Sequence, residues 1–149
     1  ISIKKKNYDY FVNSESLKNT LTEIKDLFKE NYRDQNIIHM IVNNYLINGK
    51  RYFFFEDNIK SDDLCLEVNF ISISKNLEQI FDKIFEKYQI KVEQFFDLNY
   101  LENQLKDEKL ELPEIVQKIR NGYNVNEITL IPKNIKNRGF FENFFQLFS

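Results

Sequence analysis

The sequence predicts an α+β fold: a small sheet of about three strands with two helices packed on it, extra helical segments, and a C-terminal amphipathic helix. Three observations predict it. Leu64, Leu66, Val68 and Phe70 alternate with Cys65, Glu67 and Asn69, the period of a strand with one face buried. Leu77, Ile80, Phe81, Ile84, Phe85 and Tyr88 then fall at i, i+3, i+4, i+7, i+8 and i+11, one stripe of a helix. Residues 90–96 are rich in β-branched and aromatic side chains and read as the next strand. A stripe this wide needs an apolar surface, so the helix is expected to lie on a sheet supplied by its flanking strands.

Residues 1–12 are of mixed polarity around Lys4, Lys5 and Lys6 and read as an edge strand or a loose lead-in, since lysine suits an exposed edge. Residues 13–30 read as a helix that buries Leu17, Leu21, Ile24 and Phe28, capped by Asn13 or Ser14. A polar connection, 31–36, leads to a strand over 37–47 that is broken around Asn43 and Asn44. Asn48-Gly49 is a hairpin turn pair. A short aromatic run (51–55) and a polar, acidic loop (56–63) precede the alternating strand. Ser74 stands where an N-cap belongs, and Lys75, Glu78, Asp82, Lys83, Glu86 and Lys87 take the solvent side of the helix that follows. Leu98, Leu101 and Leu105 suggest a short helix, and residues 106–111 are charged and exposed. Pro113 opens a further helix over 114–121, which Gly122 closes. Residues 125–131 read as a last strand and 132–137 as linker. The chain thus divides into a strand–helix–strand–strand domain (1–98), a divergent helical and strand extension (99–132), and a basic linker with its amphipathic tail (133–149).

With 42% hydrophobic and 30% charged residues, a core can form. The net charge of -2, with Lys and Arg spread evenly, argues against nucleic acid as a partner. The one cysteine, Cys65, cannot close an internal disulfide and reads as structural. No apolar run reaches bilayer-spanning length and no signal peptide is read at the start; with Ile1 rather than Met first, a fragment or trimmed chain is the expectation. The one histidine, His39, lies among Ile, Met and Val and reads as a packed strand residue, with no second His or Cys to build a zinc site. Glu56-Asp57 and Asp62-Asp63 lack calcium-loop spacing, and Gly49, Gly122 and Gly139 are too scattered to form a phosphate loop. The expectation is a protein that is not an enzyme and takes no cofactor or metal. The best catalytic pairing on offer is His39 with Asp57 or Asp62.

The tail carries the sharpest pattern. Wound at about 100° per residue, Phe140, Phe141, Phe144, Phe145, Leu147 and Phe148 share one arc, and Glu142, Asn143, Gln146 and Ser149 the other. Lys133, Lys136 and Arg138 lie just upstream. A short aromatic helix behind a basic linker matches an interfacial membrane anchor. Each Phe fully buried from water contributes about 1.5–3 kcal/mol, and each basic residue about 1 kcal/mol near anionic lipid. The alternative is a terminal helix docked on its own core. The polar arc favours docking, because it carries Glu, Asn, Gln and Ser where membrane helices usually carry Lys or Arg; the tail position and polar linker favour release.

Residues 37–94 also resemble a known family. Ile37-Ile38-His39-Met40-Ile41 resembles that family's strand of Leu, His and Val or Ile, and Tyr45-Leu46-Ile47-Asn48 its Tyr-x-Ile-Asp, with Asn48 for Asp. Leu66-Glu67-Val68-Asn69-Phe70-Ile71 falls at its next strand, with Asn69 in place of a histidine. Tyr88-Gln89-Ile90-Lys91-Val92-Glu93 resembles its Gly-Leu-x-Val-Asp junction, with Gln89 for the glycine, and Arg33-Asp34 its approach. The family is the bacterial cell-division protein FtsA, whose small strand–helix–strand–strand subdomain this stretch is similar to; the tail resembles its membrane-targeting helix. The loop 50–63 lacks the expected glycines and proline, and residues 99–137 show none of the actin-like core. The resemblance therefore implies a divergent or truncated relative that does not bind ATP unaided. It implies a non-enzymatic cell-division scaffold, cytoplasmic and peripheral on the inner face of the cell membrane. Its sheet domain would contact division proteins or other copies of itself. An anionic membrane would take Lys133, Lys136, Arg138, Phe140, Phe141, Phe144, Phe145, Leu147 and Phe148. The alternative is a stand-alone protein-interaction domain, or a pilus-assembly-type actin-like fragment, with the tail packed on its own core.

Overall fold

A computed structural model describes residues 1–6, 11–61, 63–106 and 110–128. The elements run β1 (Ser2–Lys6), β2 (Phe11–Val12), α1 (Ser14–Asn31), β3 (Gln35–Ile47), β4 (Lys50–Tyr52), β5 (Ile59–Lys60), β6 (Asp63–Ser74), α2 (Lys75–Glu86), α3 (Leu98–Gln104) and α4 (Leu112–Arg120). The fold is α+β. Among the described residues, β1, β6, β3 and β4 form an antiparallel sheet in that order, and β2 pairs with β5 in a second, two-stranded one.

The local signals act as chemistry requires. Asn13 caps α1, its Oδ1 accepting from the Ser16 N–H at 2.9 Å while the Ser16 hydroxyl accepts from the Asn13 N–H. Asn48 (φ 53) and Gly49 (φ 72) are both left-handed, as the tight turn joining β3 to β4 demands. Pro113 lies in the first turn of α4. Gly122 (φ 81) closes that helix, with the Gly122 N–H on the Ile119 carbonyl and the Tyr123 N–H on the Lys118 carbonyl. β1 is an edge strand, and Lys4 Nζ reaches Asp63 Oδ2 on β6 at 2.8 Å.

Two bulges in β3 decide what each sheet face carries. The register against β6 slips between Ile37 and His39 and again between Val42 and Asn44. Each slip adds one residue and so resets the alternation. Ile37, Met40, Val42, Tyr45 and Ile47 therefore share one face with Leu64, Leu66 and Val68 of β6, and there they meet Leu17, Leu21 and Ile24 of α1. His39 and Ile41 point the other way. With Ile71 they face Tyr100 and Leu101 of α3, Leu105, and Ile115 and Ile119 of α4. The sheet is thus covered by α1 on one face and by α3 and α4 on the other.

Three expectations need correction. Among the described residues, 90–96 form no strand; the chain turns at Gln89 (φ 58) and runs irregularly. Both edges of β6 are already paired, with β1 and β3, so the strand that α2 leaves behind has no edge to offer. Instead Phe95 meets Phe81 at 5.9 Å between ring centroids, and Phe96 packs into the α3–α4 core. Nor does α2 lie on the sheet. It follows Ser74 with no intervening residue, from the end of the sheet where Ser74 pairs with Gln35, and both faces are occupied by other helices. The last expected strand is, within the described residues, a single antiparallel bridge between Ile41 and Glu127.

Candidate functional site

A connected group of polar side chains surrounds the buried His39. The Ile41–Glu127 bridge places Glu127 diagonally beside His39 on one face. His39 Nδ1 lies 2.7 Å from Glu127 Oε1, and the Tyr100 hydroxyl donates to Glu127 Oε2 at 2.6 Å. Asn124 Nδ2 donates to the Tyr100 hydroxyl at 3.1 Å, and the Asp97 N–H donates to His39 Nε2 at 3.1 Å. Because Nε2 accepts, Nδ1 carries the proton and donates it to Glu127. Burial, followed by the hydrogen bond and charge of Glu127, pushes the Tyr100 hydroxyl well above its ordinary range, so it stays a donor.

A carboxylate behind an imidazole is also how a general base is oriented. Here the far nitrogen is occupied by a main-chain amide, and His39 is only 2% exposed. The cluster binds the chain to itself, joining β3, the start of α3 and residues 124–127. Asp57 is not part of it: Asp57 Oδ1 accepts from the Ser14 N–H at 2.8 Å, at the start of α1. Asp62 lies outside the described residues. Glu127 was not singled out by the sequence, because it lies 88 residues from His39. The available hint was one carboxylate in a segment expected to pair as a strand.

Two further groups, Asp63 and Tyr45, owe their shifts to local causes. The Lys4 ammonium holds Asp63 below the usual carboxylate range. Burial pushes the Tyr45 hydroxyl up to about 12, and that hydroxyl donates to Asn126 Oδ1 at 3.3 Å. Cys65 is a half-buried free thiol on β6. A shallow depression of about 310 Å³, lined by Asn19, Thr22, Glu23, Asp26, Leu27 and Glu30, lies on α1 away from His39. Among the described residues no group of three or more His, Cys, Asp or Glu is placed to hold a metal ion, and no helix is long and apolar enough to cross a membrane.

The feature that stands out is α2. Ser74 Oγ accepts from the Leu77 N–H at 3.2 Å and starts the helix, and the expected stripe forms. No residue of α2 is buried. Leu77 is 43% exposed, Ile80 44%, Ile84 46%, Phe85 37% and, just past the helix, Tyr88 73%. Phe81 is partly covered, by Phe95. Glu78, Asp82 and Glu86 fall at i, i+4 and i+8, an acidic row on one flank of the stripe, and Glu78 accepts from Asn36 Nδ2 at the start of β3. Phe53 and Phe54, beyond β4, are exposed as well, but two rings on a loop make no continuous face.

The expected membrane residues Lys133, Lys136, Arg138, Phe140, Phe141, Phe144, Phe145, Leu147 and Phe148 lie outside the described residues. Comparison with protein-family models finds no match to this chain, and a search of the curated proteins finds none either.

Proposed function

We propose that this protein is a non-catalytic contact module whose contact surface is the apolar stripe of α2. One observation carries the reading: α1 and α4 bury apolar side chains against the sheet, while α2, with the widest stripe, buries none. The partner that fits is an amphipathic helix with an aromatic face, laid along Leu77, Ile80, Ile84 and Tyr88. Each half-exposed side chain gains about 1 kcal/mol on being covered, with a similar gain from the partner's side. Association of two free molecules costs about 4–15 kcal/mol. The stripe therefore makes a weak contact with a free partner and a useful one with a tethered partner. The division-scaffold expectation needed residues 90–96 as a strand beneath α2. That strand is absent, and the proposal is made without it.

The test is a titration of the full chain with a synthetic amphipathic helical peptide of unrelated sequence, followed by backbone amide NMR. It is run on the native sequence and on Phe144→Asp with Phe148→Asp. In at least one of the two chains, shifts confined to residues 75–96 are expected. They are lost in Ile80→Glu with Ile84→Glu, while β3 and β6 keep their resonances. Shifts spread over the sheet, or none in either chain, contradict the reading.

A second reading is favoured by the clean separation of polar and apolar arcs in 139–149: the tail lies on an anionic membrane surface, with Lys133, Lys136 and Arg138 at the headgroups. Deleting 139–149 would then abolish flotation with anionic vesicles; unchanged flotation removes the reading.

A further inference from the structure

We infer that residues 139–149 of this same chain occupy the α2 face, so that the module carries its own inhibitor. The inference rests on the reading of α2 as a contact surface and names the occupant.

The direction of the chain points there. The Asn126 carbonyl accepts from the Val42 N–H at 2.9 Å, and the Ile128 N–H donates to the Met40 carbonyl at 2.8 Å. Residues 126–128 thus run antiparallel to β3, from beside Val42 toward its Gln35 end. That end carries α2: Gln35 pairs with Ser74, the Lys75 N–H donates to the Asp34 carbonyl at 2.8 Å, and Asn36 bonds Glu78. From Met40 to Gln35 is about 17 Å along a strand. Residues 129–138 can span up to about 35 Å. The tail reaches α2 with slack to spare.

The two faces also match. The stripe from Leu77 to Tyr88 is about 16 Å long, and the arc from Phe140 to Phe148 about 12 Å when helical. Six apolar side chains stand on each. The acidic row Glu78, Asp82 and Glu86 flanks one, and Lys133, Lys136 and Arg138 precede the other. A linker of this length holds the tail at roughly millimolar effective concentration, which a free partner must exceed or displace. A second copy of the chain lacks that advantage.

The test uses the full chain with Cys65→Ser, carrying Ile84→Cys and Phe144→Cys, with Asn19→Cys and Phe144→Cys as the control on the outer side of α1. Under mild oxidation the α2 pair is expected to close within one molecule roughly tenfold faster than the control. In the chain without added cysteines, amides of residues 77–88 are expected to exchange roughly tenfold faster after Phe144→Asp with Phe148→Asp. Equal closure of both pairs overturns the inference. So does closure only between molecules, which assigns the face to a second copy. So does unchanged exchange accompanied by flotation with phosphatidylserine-containing vesicles, which assigns the tail to lipid. If closure fails while the unrelated peptide still shifts α2 amides, only the identity of the occupant is wrong; if both fail, the contact surface goes too.

Discussion

α1 and α2 obey the same periodic rule and end in opposite places. α1 repeats Leu17, Leu21, Ile24 and Phe28, and all four are buried. α2 carries a wider stripe and buries nothing. Neither capping nor pattern separates them, since Asn13 and Ser74 both cap their helices by side chain. The connections do. A short turn, with the Gln35 N–H on the Tyr32 carbonyl, lets the chain fold from α1 back into β3, so the helix lies across the sheet. α2 follows β6 without a residue between, at the sheet's end. Amphipathicity tells how wide a covered face must be; topology tells whether the chain covers it.

The largest expected effect lies on the covered side. Ile24→Ala should cost about 2–5 kcal/mol in urea unfolding, against under about 1 kcal/mol for Ile84→Ala. Similar losses at the two sites would erase the comparison. Next comes the cluster that holds α3 on the second face. Glu127→Ala leaves the His39 Nδ1–H and the Tyr100 hydroxyl without their acceptor, at about 1–3 kcal/mol for each group. Glu127→Gln keeps an acceptor and should cost less.

Alkaline unfolding probes both covered faces at once, because Tyr45 lies on the sheet face that α1 covers and Tyr100 is the α3 residue that packs on the opposite face. Both hydroxyls have pKa values raised by burial, Tyr45 to about 12. From about pH 10 the unfolded chain ionises them and the folded chain does not, so unfolding releases protons and stability falls as pH rises. The slope is about 1.4 kcal/mol per pH unit for each tyrosine. Tyr45→Phe should remove one such contribution between about pH 10 and 12; an unchanged slope would show that its burial does not set its ionisation.

The smallest effect separates the helix caps. Asn13→Ala should lower global stability by about 1 kcal/mol. Ser74→Ala should speed amide exchange within α2 with little change in β3 or β6, because the rest of the fold leans on α1 and not on α2.

Much of this fold was legible locally. The alternation from Leu64 to Phe70, the stripe of α1, the caps Asn13 and Ser74, the Asn48-Gly49 turn and the Pro113–Gly122 boundaries all depend on neighbours within a few residues. Even the break at Asn43 marks a real bulge, though its effect on facing was not readable. Residues 90–96 misled because a short β-branched and aromatic run looks alike whether it pairs as a strand or fills gaps, as Phe95 and Phe96 do. The partnership of His39 with Glu127 left no local trace, since the chain folds back over most of its length to make it. The uncovered face of α2 was invisible for the same reason: its pattern names an apolar face and not the surface that meets it.

The most direct measurement is amide exchange on the full chain carrying Ile80→Glu and Ile84→Glu. With α2 as a contact surface, β3 and β6 keep their protection and the peptide footprint on residues 75–96 disappears. Loss of protection in β3 and β6 together with α2 would show that the helix belongs to the core and is no docking face.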